Sequence, residues 1–372
     1  MTTPRRAVRR AWIAAAVAAS ASADASARCF TYCGEASRGG GLASFFYFLN
    51  AAKLIADHEG ARFLVPEVVP LSRRHATGRA FGDVLGAPEW ACASTYVRRA
   101  PPAAGRAGRR PGRGRRRPRP GGRRATAATP ARDGFCAGEV KAWLAGAAPA
   151  PPVRVAGRAA PAAGAGAGDC REVVELVDGC GSSANFSATR DFFRGHYRRG
   201  APAPFRGRGG ETTVAIHYRL GDTDRAATRH AEKRTSAREA AQIAAILAEA
   251  AALGGRRFRV RVVSDSRGHA EVAQLVAALA RFAAVEPVDA AAGEEATARA
   301  DFDALATADL VVCGHSGFCR VAALLTDRAV LATSQATGHR LVPLAHLPNV
   351  ASFDDASSAR AVAARVHGLL GA

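Results

Sequence analysis

The chain is 372 residues long, and its formal net charge of +20 at neutral pH invites a nucleic-acid reading. The composition argues against one: only Lys53, Lys141 and Lys233 are lysine, all other basic residues are arginine, and alanine, glycine and proline are similarly heavy, the skew of a GC-rich coding sequence. The length suffices to bury a substantial core and favours two domains over one or three.

Arg5, Arg6, Arg9 and Arg10 precede an apolar run from Trp12 to Ala19, followed by small residues with Ala-Ser-Ala at 21–23 and 25–27. That is the layout of a secretory signal or short N-terminal anchor over residues 1–28. A plastid transit peptide is the rival, since no acid occurs before Asp24. The run is shorter than the ~20 residues a spanning helix needs, so membrane association is expected through the N-terminus only. Eight cysteines (Cys29, Cys33, Cys92, Cys136, Cys170, Cys180, Cys313, Cys319) are an even number compatible with disulfides, and Asn185-Phe186-Ser187 is a glycosylation sequon. Both features suit secretion. The pairing is open, and no cysteine pair has zinc-ligand spacing.

Gly39-Gly40-Gly41 precedes a helical pattern over Leu42 to His58, with apolar residues at 42, 45, 46, 49, 54 and 55; a strand follows from Arg62 to Val65, stopped by Pro66. A glycine-rich turn feeding a helix start admits a sugar or phosphate closely, and equally serves as a plain turn, so Gly40 and Gly41 are candidate substrate contacts. From about Ala91 to Pro204 the pattern degrades, apart from a short island around Val173 to Arg194. Within it, Arg98 to Arg124 holds about a dozen arginines and no acid. It has almost no large apolar side chain to offset ordering entropy, so residues 98–132 read as a disordered insertion. The tract also lacks aromatic residues to stack on bases, and no nucleic-acid partner is expected.

From Thr212 onward strands and helices alternate. Strand Val214 to Arg219 is followed by helix Ser236 to Leu253, strand Phe258 to Ser264, helix Ala270 to Phe282 and a strand near Val285 to Val288. Then come a helix around Ala300 to Ala306, strand Leu310 to Cys313, helix Phe318 to Thr326, strand Ala329 to Thr333 and a helix near Ala356 to Leu370. The alternation predicts a mostly parallel sheet covered on both faces, a Rossmann-like half.

Ligands of such sheets bind beyond the carboxyl ends of the strands. Three polar groups stand there: His217, Arg219 and Asp222 after the first strand, Ser264-Asp265-Ser266 after the second, and His315-Ser316-Gly317 after the strand that follows Ala308. Read as extended, His217 and Arg219 share one face roughly 7 Å apart, while Val214, Ile216 and Tyr218 line the other. Arg219 offers a fork of donors suited to phosphate oxygens. Ser316 serves either as an N-cap or as a hydroxyl for a phosphate, with the Gly317 and Phe318 amides pointing the same way. Asp265 accepts from a base or ribose, or caps the next helix.

Taken together, HYRLGD at 217–222, VVSDS at 262–266 and ADLVVCGHSGFCRVAALL at 308–325 resemble the fucosyltransferase superfamily, closest to the alpha-1,6-fucosyltransferase/NodZ group. The likeness covers roughly residues 212–327 and, more loosely, 34–70. It implies a GT-B-like α/β fold of two Rossmann-like domains and inverting, metal-free transfer of fucose from GDP-fucose to a glycan or protein acceptor in the secretory pathway, in the Golgi lumen. It further implies that Arg219 holds the diphosphate, His217 and Asp265 lie near guanosine, and Ser316 meets a phosphate oxygen. No cofactor is implied beyond the donor substrate.

Where the group carries a second arginine this chain has Leu220, and where it carries glutamine after the serine this chain has Gly317. The carboxylate expected about ten residues past the histidine is missing, which leaves Asp224 or Glu232 to deprotonate the acceptor. The expected organisation is a leader (1–28), an N-terminal Rossmann-like half (29–97), the arginine-rich insertion (98–132), the rest of that domain (133–208) and a nucleotide-sugar-binding domain (209–372). Rival readings are manganese binding through Asp222-Thr223-Asp224 or Asp301-Phe302-Asp303, a non-catalytic GDP-sugar or glycan-binding protein, and a polyanion binder working through the arginine tract.

Overall fold

The computed structural model describes residues 28–32, 42–66, 84–86, 88–89, 158–161, 170, 172–176, 186–200, 202–220, 234–264, 266, 268–286, 294–338 and 342–371. The leader, the arginine tract, Asn185 of the sequon, and Cys33, Cys92, Cys136 and Cys180 lie outside the described residues. Among the described residues no helix is long and apolar enough to cross a membrane.

Among the described residues the α/β architecture is made of two sheets. The first has four strands in the order β2-β1-β4-β3, where β1 is Arg28–Tyr32, β2 Arg62–Phe63, β3 Arg158–Pro161 and β4 Glu172–Leu176. β1 runs parallel to β2 and β4, and β3 lies antiparallel on β4. A disulfide from Cys29 to Cys170 ties β1 to the residues leading into β4. Helix α1, Leu42–His58, occupies the predicted span, and its buried residues Leu42, Phe45, Phe46, Leu49 and Ile55 recur at three and four, one face of a helix.

The second sheet has six strands, all parallel: β5 Thr212–His217, β6 Phe258–Val263, β7 Ala283–Val285, β8 Leu310–Cys313, β9 Ala329–Thr333 and β10 Val350–Phe353. Their spatial order is β10-β9-β8-β5-β6-β7. The chain therefore winds outward from β5 through β6 to β7, returns to the other side of β5, and winds out again through β8, β9 and β10. That is the Rossmann-like order, and it reverses between β5 and β8.

Alternation along β5 assigns its two faces. Val214, Ile216 and Tyr218 join an apolar cluster with helices α3 (Ala237–Gly254), α4 (Ala270–Leu279) and α8 (Ala359–Gly371). Ala215 belongs to the other cluster, shared with α1, α2 (Phe186–Arg199), α5 (Glu294–Thr307) and α6 (Gly317–Leu325). This second cluster is continuous from Phe30 and Tyr32 of the first sheet to Val311, Val330 and Ala332 of the second. One apolar core thus joins the sheets through α1. Helix α2 strengthens the joint, since Thr189 bonds Asn50 of α1 at 2.5 Å while Arg190 reaches the carbonyl of Leu324 at 2.9 Å.

Several element boundaries differ from expectation. β5 ends at His217, so Tyr218 and Arg219 lie just beyond the strand. β7 spans 283–285, earlier than expected. α4 stops at Leu279, and a turn carries the chain through Phe282 into β7. α5 begins six residues before the expected start. A short helix α7, Ser334–Thr337, and strand β10 have no counterpart in the sequence reading. α2 was legible only as an ordered island: its buried residues Phe186, Thr189, Phe193, His196 and Tyr197 do recur helically, inside a segment rich in arginine.

Candidate functional site

The reversal point between β5 and β8 gathers the predicted residues. In the ladder His217 pairs with both Val263 and Cys313, so the C-terminal ends of β6, β5 and β8 stop at one level. Four of the residues the sequence singled out follow that level directly: Arg219 past β5, Ser264 past β6, His315 and Ser316 past β8. Asp222, Asp224, Glu232, Asp265, Gly40 and Gly41 lie outside the described residues, as does the Asp222-Thr223-Asp224 triplet.

Arg219 is held by its backbone. Its N–H donates to Thr235 Oγ1 at 3.2 Å, and its carbonyl accepts from the Thr235 N–H at 3.1 Å. Thr235 is itself buried and stands at the entry to α3, where Ser236 and Glu239 form a reciprocal capping box. The flanking residues face the opposite side of the sheet. Tyr218 donates its hydroxyl to Glu271 Oε2 at 3.0 Å, and burial together with that carboxylate raises its pKa far above the usual phenol value. Leu220 is 1% exposed within the apolar cluster of α3 and α4. A second arginine at that position would put its charge in the core, which accounts physically for the leucine.

The loop after β8 is short and stapled, because Cys313 and Cys319 form a disulfide across it. Ser316 stands at the N-cap of α6 with extended backbone (φ −77°, ψ 128°) and is 3% exposed, yet its side chain makes no capping hydrogen bond. The purely structural role left open by the sequence is therefore not the one this serine performs here. As α6 starts at Gly317, the amides of Gly317 and Phe318 point out of its positive end. The Phe318 ring lies 5.7 Å from the His217 ring and edge-on to Phe302 at 5.3 Å, so His217 and the start of α6 sit together. His315 Nε2 is 3.8 Å from Glu239 Oε1, linking the loop to α3.

Gly317 is where the N-terminal half meets the site. A Cβ there would stand 2.7 Å from Ala43 Cβ, closer than real side chains approach, so only glycine lets α1 pack on the start of α6. This is also the physical reason a longer residue is absent at that position.

One residue of the last motif was given no role in the sequence reading. Arg320 is 3% exposed, and its Nε and Nη1 have no hydrogen-bond partner among the described residues. Helical side chains lean toward the helix N-terminus, so Arg320 folds back over the residue three earlier, and its Nη2 lies 3.6 Å from the position a Gly317 Cβ would take. Burial, and then the charge of Arg219, pull its pKa down to about 10. The group is thus still a cation at neutral pH, and it is near enough to Arg219 to sense it. An arginine inside the otherwise apolar run GFCRVAALL was the available signal.

The Asp301-Phe302-Asp303 triplet has a structural occupation. Asp303 is buried and accepts from Tyr197 Oη at 2.9 Å, from the Ala203 N–H at 3.3 Å and from Arg299 Nε at 3.1 Å, while Phe302 points into the core. The triplet lies on helix α5, where residues two apart do not face each other. Among the described residues no cluster of three or more His, Cys, Asp or Glu side chains is placed to hold a metal ion.

No protein-family model matches the chain, and no curated protein matches it. What the geometry itself defines is a parallel α/β sheet with cationic and hydroxyl side chains and helix-end amides at its topological reversal.

Proposed function

We propose that the protein is an inverting glycosyltransferase of GT-B type that moves fucose from GDP-fucose to a glycan or protein acceptor in the secretory pathway. The observation that carries this reading is the meeting of Arg219, an uncapped Ser316 and the amides of Gly317 and Phe318 at the β5/β8 reversal, where open α/β sheets bind phosphorylated ligands. His217 and Asp265 take the guanosine side of the donor. Gly40 and Gly41, which precede the α1 start packed on Gly317, take the side of the N-terminal half. The two disulfides among the described residues suit an oxidising compartment.

In this reading the acceptor hydroxyl attacks the anomeric carbon of fucose from the face opposite the diphosphate. The new C–O bond forms as the old one breaks, and the bonding pair leaves on the β-phosphate oxygen of GDP. Arg219, Ser316 and the helix-end amides are complementary to that growing charge without a metal, and a carboxylate, Asp224 or Glu232, takes the acceptor proton.

A thermal-shift screen of GDP-sugars tests the reading directly, since a ligand at a hundred times its dissociation constant adds ~2.7 kcal/mol of stability. Stabilisation by GDP-fucose, with transfer that survives a chelator, is the expected result. No stabilisation by any GDP-sugar overturns it, and binding with no turnover across an acceptor panel assigns the non-catalytic alternative.

A further inference from the structure

We propose that Thr235 is a positioning residue for diphosphate binding: its hydroxyl, set between the backbone of Arg219 and Gly314, fixes the spacing of the two loops that meet the phosphates. The inference rests on the glycosyltransferase reading and adds to it a residue that acts through those loops rather than on the ligand.

Arg219 lies past the end of both ladders of β5, whose last pairs are His217 with Val263 and His217 with Cys313. On its upstream side it is anchored through Tyr218, whose N–H donates to the Val263 carbonyl at 2.8 Å and whose hydroxyl donates to Glu271 at 3.0 Å. Its own two backbone groups go to a single residue: the N–H donates to Thr235 Oγ1 at 3.2 Å, and the carbonyl accepts from the Thr235 N–H at 3.1 Å. A side chain holds a phosphate at one place only when the backbone beneath it is fixed, and beyond the strand that fixing comes from Thr235. The same hydroxyl also borders the loop across the reversal. A Cβ on Gly314 would stand 3.3 Å from Thr235 Oγ1, so this oxygen lies against the chain two residues before Ser316. Thr235 therefore abuts the Arg219 side and the Ser316 side at once. Its Cβ is branched and the residue is 2% exposed, which leaves the hydroxyl little freedom to turn away. Glu239, in the first turn of α3, adds a further tie: Oε2 accepts from the Ser236 N–H at 2.7 Å, and Oε1 lies 3.8 Å from His315 Nε2. The entry to α3 is thus a spacer between the loops after β5 and β8. A diphosphate that spans both loops depends on their separation. Guanosine, whose contacts in this reading are His217 and Asp265, does not.

The test uses the full-length, disulfide-intact protein and three probes, GDP, inorganic pyrophosphate and guanosine, titrated well below the unfolding temperature of each variant. Thr235→Val keeps the branched shape and removes the oxygen, whereas Thr235→Ser keeps the oxygen. The expected result is a loss of about tenfold or more in the affinity of Thr235→Val for GDP and pyrophosphate, little change for guanosine, and near-wild-type affinities in Thr235→Ser. A purely structural residue would lower Tm and leave pyrophosphate affinity intact, and that result overturns the inference. A Thr235→Ser protein as weak as Thr235→Val overturns it too, because the oxygen would then not be the operative group. Should Thr235→Val fail to fold, Thr235→Ala removes the oxygen without setting a methyl against the Arg219 N–H; weaker pyrophosphate binding than in Thr235→Ser supports the proposal, and equal affinity overturns it. The two readings separate cleanly. A wild-type protein that binds and transfers GDP-fucose, alongside an unaffected Thr235→Val, removes this inference alone, whereas a wild type that binds neither GDP nor pyrophosphate removes both.

Discussion

Helix α6 carries an arginine problem at each end and, among the described residues, solves only one of them. At its C-terminal end Arg190, reaching across from α2, donates to the carbonyls of Leu324 and Thr326 and to Asn349, which completes the last turn with a cation where the helix dipole favours it. At its N-terminal end Arg320 is more deeply buried, faces the unfavourable pole, and leaves two nitrogens without acceptors among the described residues. The same side chain in the same helix environment is a structural clasp in one place and, among the described residues, an open valence in the other. The contrast teaches that burial alone does not make an arginine a structural clasp; the acceptors around it do.

The largest effect that would sharpen this contrast is at the clasp. Arg190→Ala deprives two carbonyls of a charged donor, and at about 1–3 kcal/mol for each group left unsatisfied the domain should lose roughly 2–4 kcal/mol in urea unfolding. A loss below about 0.5 kcal/mol would break the comparison. Next comes the half-buried arginine beside the open end: Arg219→Ala should weaken GDP binding by about 1.5–3 kcal/mol in calorimetric titration, the value of a charge-assisted contact. Wild-type GDP affinity there would count against the donor-site reading.

A third effect lies at the seam. Gly317→Ala pushes a methyl against Ala43, and overpacking of this kind typically costs about 1–3 kcal/mol. Pairing it with Ala43→Gly should recover part of that loss, and strict additivity of the two changes would show that the helices do not meet as described. The smallest effect compares two N-caps. Ser236 accepts from the Glu239 N–H at 3.1 Å, so Ser236→Ala should cost about 1 kcal/mol of stability. Ser316→Ala, which removes no capping bond, should change stability by less than about 0.5 kcal/mol while weakening GDP binding. Equal stability losses at both serines would mean Ser316 is an ordinary cap.

Much of the C-terminal architecture was legible because its signals are local. The β5, β8 and β9 segments are apolar runs bounded by glycine or charge, and the helices between them carry a 3.6-residue period, so their alternation was readable without contacts. The site's location followed from topology, since the polar residues at three strand ends could be tied to one edge before their positions were known. Arg320 was not legible in the same way. What marks it is two nitrogens without acceptors among the described residues, and a missing contact has no sequence signature beyond a charge in an apolar helix. Gly317 was recognised as a departure, but its cause is Ala43, 274 residues earlier, a packing relation that no local pattern carries. Strand β10 and helix α2 were missed or blurred for a related reason: one is only four residues long, and the other hides its buried stripe among arginines and polar residues.

The double tie between Arg219 and Thr235 has a practical corollary. Two hydrogen bonds fasten the point where the polypeptide departs after β5 to the point where it rejoins ahead of α3, so the Rossmann-like scaffold is closed off at that junction whatever lies between. Substitutions between residues 221 and 233 should accordingly leave the stability of the domain beneath close to that of the wild type, because the fastening at Arg219 and Thr235 does not depend on them.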